Sequence, residues 1–217
     1  MDNFIAGEEL LNSFDADFIE PEPLLFQTGY LTIKAMEHLF DHEYMYRLGF
    51  PNHEVKKSLT NSLLDWYIQD QGSLRNNRTE LVNILQTNNL DALEKLFYAF
   101  FASIPYDWYR KNAIAEYEGY YCSVVYCYFT ALGLNVQPEV STNHGRLDMA
   151  VIFENRVYLI EFKVNELTES GQALAQIKEK RYYEKYTDRE HCEIYLIGVE
   201  FSAEERNISR FEWERYG

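Results

Sequence analysis

The feature that most constrains the fold is a pair of apolar, strand-like runs, residues 146–153 and 156–164, separated only by Glu154 and Asn155. Two such runs joined by a two-residue polar link are typical of a β-hairpin with a tight turn. Antiparallel pairing through this turn places the start of the first run beside the end of the second run. The sequence therefore predicts an antiparallel hairpin in the C-terminal half.

Polar residues gather at one end of this hairpin. Because side chains alternate along a strand, Glu161 and Lys163 share one face of the run VYLIEFKV, residues 157–164. The hairpin also brings Asp148 near them, and two carboxylates with an ammonium suit a hard divalent cation such as Mg²⁺, which takes oxygen ligands. Spacing alone leaves a second interpretation open, a solvated sheet face whose Glu–Lys pair contributes under about 1 kcal/mol.

The elements around the hairpin extend the pattern. Periodic apolar positions predict a helix over 113–132, and Gly133 is placed to end it. The expected order is a helix, three strands, a helix and a buried strand, with an edge strand at the end: 113–132, 135–140, 146–153, 156–164, 169–186, 193–201 and 207–214. This order of helices and strands predicts an α/β fold class.

The N-terminal half reads as acidic and mainly helical. Residues 1–50 hold ten Asp or Glu residues against Lys34 and Arg47. The stretch 24–33 is strand-like, Asn52 is placed to cap a helix, and further helices are expected at 78–87 and 91–103. Because Ile104-Pro105 interrupts the helical pattern, we expect an N-terminal region over 1–105 and a second domain over 106–217.

Composition limits the class of protein. The 217 residues are 47% hydrophobic with a net charge of −15, which argues against disorder and against polyanion binding by the surface as a whole. No apolar run approaches the roughly 18 to 20 residues that span a membrane, and the acidic start lacks the basic segment of a secretory signal. The three cysteines form no CxxC pair, which favours reduced structural thiols over a zinc site. We therefore expect a cytoplasmic protein without membrane attachment.

Several motifs in the C-terminal half resemble the PD-(D/E)XK nuclease superfamily. They are Asp148 within GRLDM, the D-x12-E-x-K spacing that leads to EFK at 161–163, and the later stretches ALAQIKEKRYYEKY and IYLIGVEF. The resemblance covers residues from about 113 to 217 and implies a restriction-endonuclease-like αβββαβ core. Leu147 departs from the superfamily name, since it stands where the nominal proline would be.

The resemblance is to the branch of that superfamily that accompanies an AAA-ATPase-like N-terminal domain in bacterial proteins. LLFQTGYLTI at 24–33 and LGFPNHEV at 48–55 resemble the segment that joins the two domains. The sequence contains no Gly-rich phosphate loop ending in Gly-Lys-Ser/Thr. The resemblance therefore implies that residues 1–105 are a linker or the tail of an ATPase-like domain, and that the ATP-handling part is a missing partner.

The resemblance implies roles for residues near the hairpin end. Asp148, Glu161 and the backbone carbonyl of Phe162 correspond to metal ligands for Mg²⁺ or Mn²⁺. Lys163 corresponds to the catalytic lysine, which would orient or deprotonate the attacking water.

A glutamate of the first helix and a glutamine of the second helix often complete such sites. Glu118 fits the first role because of its periodicity with the apolar helix face, and Glu116 is its rival. Gln176 fits the second role, with Gln172 one turn earlier as the alternative. For the two glutamates, the competing interpretation is an acid that the helix dipole favours in the first turn. For the two glutamines, it is a solvated amide.

Three further residues are candidates for substrate binding. Arg146 could meet a phosphate or pair with a nearby acid. Lys180 and Tyr183 could contact a nucleic-acid backbone through charge neutralisation and stacking. An amphipathic helix with packed Tyr and solvated Lys explains these two residues more simply.

The leading hypothesis is a Mg²⁺- or Mn²⁺-dependent nuclease of the PD-(D/E)XK type that acts on DNA rather than RNA, with endonuclease and exonuclease modes both left open by the sequence. The alternative is a catalytically silent or latent nuclease-fold module that serves interaction or regulation in a larger ATPase-containing protein. The Tyr- and Phe-rich N-terminal half would then dock against the ATPase-like domain or against a second copy of the chain, giving a homo-oligomer.

Overall fold

The computed structural model of the protein describes residues 4–7, 10, 21–38, 44–67, 71–105, 116–168, 170–188 and 192–217. The chain divides into two compact units, Met1–Asn61 and Ser62–Gly217. The expected domain boundary at 105–106 adjoins residues 106–115, which lie outside the described residues, and it stays a prediction.

The first unit contains a three-stranded antiparallel sheet and a short helix. Strands β1 (Phe4–Ala6), β2 (Thr32–His38) and β3 (Tyr44–Gly49) lie in the order β1-β3-β2, and helix α1 (Pro21–Gln27) precedes β2. A small apolar core in this unit contains the buried residues Ala6, Leu10, Leu31, Leu48 and Phe50.

The strand expected over 24–33 was wrong for most of its length. Residues up to Gln27 belong to α1, and the strand begins only at Thr32. Proline at position 21 is compatible with the first turn of a helix, because its missing N–H would have no partner there. Gly29, with a φ of 83°, then turns the chain into β2.

Three helices follow: α2 (His53–Tyr67), α3 (Gln71–Thr87) and α4 (Leu90–Ala102). The expected cap of α2 is present, since Oδ1 of Asn52 accepts a hydrogen bond from the N–H of Val55 at 2.9 Å. Asn89 caps α4 in the same way. Helices α3 and α4 correspond to the helices expected at 78–87 and 91–103, and α3 begins earlier than expected, at Gln71. None of the helices in the described ranges has the length and apolar character needed to cross a membrane.

The second unit is built on a five-stranded sheet in the order β4-β5-β6-β7-β8, in which only the β6–β7 pair is parallel. After α3 and α4, its elements follow one another as α5 (Glu118–Ala131), β4 (Asn135–Thr142), β5 (Gly145–Phe153), β6 (Arg156–Val164), α6 (Gln172–Glu179), a 3-10 helix (Tyr182–Tyr186), β7 (Glu193–Ser202) and β8 (Asn207–Tyr216). This αβββαβ order with a final edge strand confirms the expected α/β, restriction-endonuclease-like fold.

Strand β6 separates two apolar layers. Its even-numbered residues 158–164 pack in the layer that contains α4 and α5, and Val157 and Leu159 pack in the layer that contains α6 and the 3-10 helix. Since side chains alternate along a strand, Glu161 and Lys163 continue the face of Leu159. The shared face that the sequence predicts for these two residues is therefore observed.

The helix expected over 169–186 is interrupted. Helix α6 ends at Glu179 and the 3-10 helix begins at Tyr182, because Arg181 between them has a φ of 50°. A left-handed residue of this kind cannot continue a right-handed helix. Residue 169 lies outside the described residues.

Strand β5 departs from strict alternation, which predicts Leu147, Met149 and Val151 on one face and Asp148 on the other. Instead, Leu147 packs in the α6 layer, whereas Met149 and Val151 pack in the α5 layer. Strand β5 pairs with β6 only from Met149 onward, and Glu139 on the neighbouring strand has a φ of 49°. The regular alternation of β5 is therefore interrupted at Asp148.

Candidate metal-binding and catalytic site

The candidate site lies next to Met149 and Ile160, the residue pair at which the pairing of β5 with β6 ends. Beyond the last pair, two hydrogen bonds from main chain to carboxylate connect the strands. The N–H of Phe162 donates to Oδ2 of Asp148 at 2.8 Å, and the N–H of Asp148 donates to Oε2 of Glu161 at 3.4 Å. Each carboxylate thus takes the place of a backbone carbonyl in the ladder, which fixes both acids beside each other at the hairpin end.

Lys163 holds its ammonium among three oxygen atoms. Its Nζ lies 3.1 Å from Oε1 of Glu161, 3.0 Å from the carbonyl oxygen of Phe162 and 3.4 Å from Oε2 of Glu118. The Glu161 side chain is only 1% exposed and that of Lys163 11%. Because a buried carboxylate needs a compensating charge, this ammonium stabilises the acidic cluster.

Helix α5 contributes Glu118, its first residue. An acid in the first turn is favoured by the helix dipole, and here the same carboxylate also reaches Lys163 from a different element. Glu116, the rival from the sequence, is exposed. The geometry therefore supports Glu118 as the member of this helix that belongs to the site.

Helix α6 contributes Gln176. Its Nε2 donates a close hydrogen bond to Oε1 of Glu161 and lies 3.5 Å from the hydroxyl of Tyr182. That hydroxyl donates to the carbonyl oxygen of Arg146 at 3.1 Å. The alternative, Gln172, is the exposed first residue of α6. A continuous set of hydrogen bonds thus connects α6 and the 3-10 helix to both strands of the hairpin.

Burial and mutual charge change the acidity of the cluster. Burial, with repulsion from Asp148, raises the pKa of the Glu161 carboxyl to about 7, although Lys163 opposes the shift. Burial likewise raises the pKa of Asp148, against the hydrogen bond from Phe162 and the charge of Lys163. Burial would lower the pKa of Lys163, but the charges of Glu161, Glu118 and Asp148 outweigh it and the pKa is raised. The lysine is therefore an ammonium at neutral pH in the metal-free site.

Cys122 lies close enough to the cluster to be affected by its charges. Burial first, and then Asp148, Glu139 and Glu161, raise the pKa of its thiol to about 12. A thiol with such a pKa is not a nucleophile at neutral pH. The three cysteines are all free, and burial also raises the pKa of Cys127, to about 11.

The donor set at the hairpin end fits a hard divalent metal. Asp148 and Glu161 supply carboxylate oxygens, and Phe162 supplies a carbonyl oxygen beside them. Mg²⁺ is usually bound by one or two protein carboxylates and keeps several waters. Within the described ranges, no group of three or more His, Cys, Asp or Glu side chains is arranged to hold a metal. Two carboxylates and one carbonyl oxygen at the hairpin end form a small oxygen set of the kind that Mg²⁺ accepts.

The side chains of the three candidate substrate residues form no hydrogen bond with the carboxylates of Asp148 and Glu161 or with the ammonium of Lys163. Arg146 is exposed and 3.5 Å from Glu139, and its charge acts on Asp148 two residues away. Lys180 is half-buried at the end of α6. The ring of Tyr183 stacks on that of Tyr216 with centroids 4.1 Å apart. Their assignment to substrate stays a prediction.

Sequence reasoning missed two features that position α6. Glu200, in β7, is 1% exposed and bonds to the start of α6. A Cβ at Gly198 would lie 2.4 Å from the main-chain nitrogen of Leu174, so only glycine allows α6 to lie this close to β7. A single carboxylate inside the apolar run IYLIGVEF was the available signal for Glu200. Nothing in the sequence identified the close contact at Gly198.

The part of the chain that holds the candidate site matches a known family. Residues 116–211 match a model of the PD-(D/E)XK nuclease superfamily. A protein of Azotobacter chroococcum mcd 1, described as "Uncharacterized protein in vnfD 5'region", is 48% identical over all 217 residues. This chain spans 42% of the length of that relative. The resemblance to the superfamily is confirmed over 116–211, and the association with an ATPase-like domain stays a prediction.

Proposed function

We propose that the protein is a metal-dependent nuclease that hydrolyses phosphodiester bonds of nucleic acid, DNA rather than RNA. The observation that carries this proposal is the convergence of Asp148, Glu161 and Lys163 at one end of the β5–β6 hairpin. The family match over 116–211 supports it, because that range contains every residue of the cluster.

Asp148, Glu161 and the carbonyl oxygen of Phe162 would hold Mg²⁺ or Mn²⁺. When bound, the metal would supply Lewis acidity that stabilises the charge developing on the phosphate. The chain prepares this position by burying the Glu161 carboxylate, half-burying that of Asp148 and holding both through main-chain N–H groups. Fixed ligands lose little conformational freedom on binding, which favours affinity.

Lys163 would orient the attacking water and the scissile phosphate. Its raised pKa keeps it protonated beside Glu161 and Glu118, so hydrogen-bond donation and charge stabilisation suit it better than proton abstraction. Glu118 would hold that ammonium from the opposite side. Gln176 would hold the Oε1 atom of Glu161 from α6.

The reaction is an in-line displacement at phosphorus. The oxygen of water forms a new bond to phosphorus while the bond from phosphorus to a sugar oxygen breaks. The attacking water gives up its proton to solvent, and the departing oxygen takes a proton from solvent. The products are a phosphomonoester and a free hydroxyl, so no oxidant or further co-reactant is needed.

Arg146, Lys180 and Tyr183 are the proposed substrate contacts. The pair between Arg146 and Glu139 is exposed on both sides, and such a pair contributes only about 0–1 kcal/mol. A phosphate can therefore compete with Glu139 for the guanidinium. Tyr183 keeps part of its ring surface accessible beside Tyr216.

Cleavage of a mixed panel tests the proposal. Supercoiled, linear and single-stranded DNA and RNA are incubated with Mg²⁺, Mn²⁺ or EDTA. Metal-dependent cutting that Asp148→Asn removes is the expected result. The matched control is Asp91→Asn. The Asp91 carboxylate accepts a hydrogen bond from Nε1 of Trp213 and is not part of the cluster, so this variant should cut like the parent. Cutting that persists in EDTA or in Asp148→Asn contradicts the proposal.

A second function is a nuclease-fold module that is latent or regulatory within a larger ATPase-containing protein. The observation that favours it is the length of the Azotobacter relative, of which this chain spans 42%. A latent enzyme should bind Mn²⁺ saturably and cut only when a longer form of the protein is supplied. A silent module should neither bind Mn²⁺ nor cut in either form.

A further inference from the structure

Glu200 is a buried carboxylate that touches none of the proposed metal ligands. It lies in β7 with 1% of its surface exposed, and its Cα pairs in register with that of Lys163 on β6. A buried acid is costly unless hydrogen bonds compensate it. Its position in an otherwise apolar strand therefore calls for a specific partner.

The hydrogen bonds that the Glu200 carboxylate accepts within the described residues come from the amino end of α6. Oε1 accepts hydrogen bonds from the N–H of Gly171 at 2.7 Å and from the N–H of Ala173 at 3.3 Å. Oε2 accepts a hydrogen bond from the hydroxyl of Ser170 at 3.2 Å. Gly171, the residue before the helix, has no side chain that could cap it. Glu200 thus caps α6 from a neighbouring strand, where a negative charge also complements the helix dipole.

Helix α6 is only eight residues long, and it carries Gln176 in its second turn. It lies unusually close to β7, since a Cβ at Gly198 would overlap the backbone of Leu174. A short helix seated this tightly transmits a displacement of its first residues to the rest of its length. The position of the Gln176 amide against Glu161 therefore depends on the cap at the helix start.

We infer that Glu200 is a positioning residue, which acts on the metal site by capping α6 and so placing the Gln176 amide against Oε1 of Glu161. The inference rests on the proposed function for its effect on cleavage, but its structural step does not. Residues that orient a metal ligand in this way typically change metal affinity or activity 10- to 100-fold when they are replaced.

The first measurement is spectroscopic and needs neither metal nor substrate. In a ¹H–¹⁵N correlation spectrum of the metal-free protein, Glu200→Leu should move the side-chain NH₂ signals of Gln176 toward those of a free amide. Glu200→Gln, which keeps an oxygen acceptor for the helix N–H groups, should leave them near the parent positions. If Glu200→Leu shifts only the backbone signals of Gly171 and Ala173, Glu200 holds the helix end alone and the inference is overturned.

The second measurement is a double-mutant cycle on kcat. Glu200→Leu should lower kcat about tenfold with KM within about twofold, and in a Gln176→Ala background the same substitution should cost less than about twofold. An equal loss in both backgrounds overturns the inference. The matched control is Glu166→Leu, which removes carboxylate bonds to the N–H groups of Ala203 and Glu204 and should leave kcat unchanged.

The two proposals fail in different ways. If the parent protein cuts nothing and Asp148→Asn binds Mn²⁺ as the parent does, the nuclease proposal fails while the spectroscopic measurement still decides the role of Glu200. Should Glu200→Leu not fold, Ser170→Ala removes one partner of the same carboxylate. A shift of the Gln176 signals in that variant supports the inference, and unchanged signals overturn it.

Discussion

The main-chain N–H of Phe162 lies 2.8 Å from Oδ2 of Asp148, so that a side chain of β5 completes the hydrogen bonding of β6. The same carboxylate is a proposed metal ligand, a role that the resemblance to the PD-(D/E)XK superfamily implies for Asp148. One residue therefore has a structural bond and a proposed chemical role, and substitutions can separate the two.

Asp148→Asn should abolish cleavage and leave the thermal midpoint close to that of the parent. An asparagine oxygen can still accept the hydrogen bond from Phe162, but the charge that a divalent metal needs is gone. Cleavage assays and a thermal melt of the same preparation test this. A fall in the midpoint comparable to that of a core substitution would show that the loss of activity reports unfolding rather than chemistry.

Lys163→Met should destabilise the metal-free protein and reduce cleavage at least about 100-fold. Removal of the ammonium leaves Glu161 buried without its ion pair, and breaking a buried pair costs about 3–5 kcal/mol in the free energy of unfolding. Urea unfolding at pH 8 measures this change. The control, Lys178→Met, breaks an exposed pair with Glu214 and should cost under about 1 kcal/mol; equal losses in the two variants contradict the assignment.

The stability of the metal-free protein should fall as the pH rises from 5 to 8. The pKa of Glu161 is raised by burial to about 7 in the folded protein, above its value of about 4.3 in an unfolded chain. The folded state therefore holds this proton more tightly, and the stabilisation, present at low pH, is lost as the pH rises through the folded pKa. Urea unfolding across this range should show a slope that Glu161→Gln reduces, and an identical slope in both proteins refutes the assignment.

Gly198→Ala should displace α6 and lower both stability and activity. The added Cβ would meet the main-chain nitrogen of Leu174 at 2.4 Å, and a backbone atom cannot give way as a flexible side chain can. Overpacking of this kind costs about 1–3 kcal/mol, and the shift should separate Gln176 from Glu161. The matched control is Gly119→Ala in α5, where a Cβ would meet nothing within 4 Å; there we expect unchanged or slightly higher stability. Urea unfolding and kcat measure both variants.

The parts of the fold that the sequence could predict are those set by local periodicity. The alternation along 156–164 and the tight turn at 154–155 suffice to place Asp148 beside Glu161. Arg181 shows one limit of sequence-based prediction. The apolar positions around it continue at helical spacing, and nothing in the sequence indicates its left-handed backbone conformation. Glu200 shows a second limit, since its role depends on contacts with residues about 30 positions earlier. Which residues make such contacts depends on where α6 packs against the sheet.

The residues of the candidate site differ in how far apart they lie along the chain. Asp148, Glu161 and Lys163 belong to one hairpin, and the bonds among them span at most 14 residues. Glu118, by contrast, reaches Lys163 across 45 positions. The entropy lost in closing the intervening loop is small for the contacts within the hairpin and larger for the contact between Glu118 and Lys163. The contacts among Asp148, Glu161 and Lys163 can thus form with the hairpin itself, early in folding. The contact of Glu118 with Lys163 forms later, when helix α5 packs against the sheet.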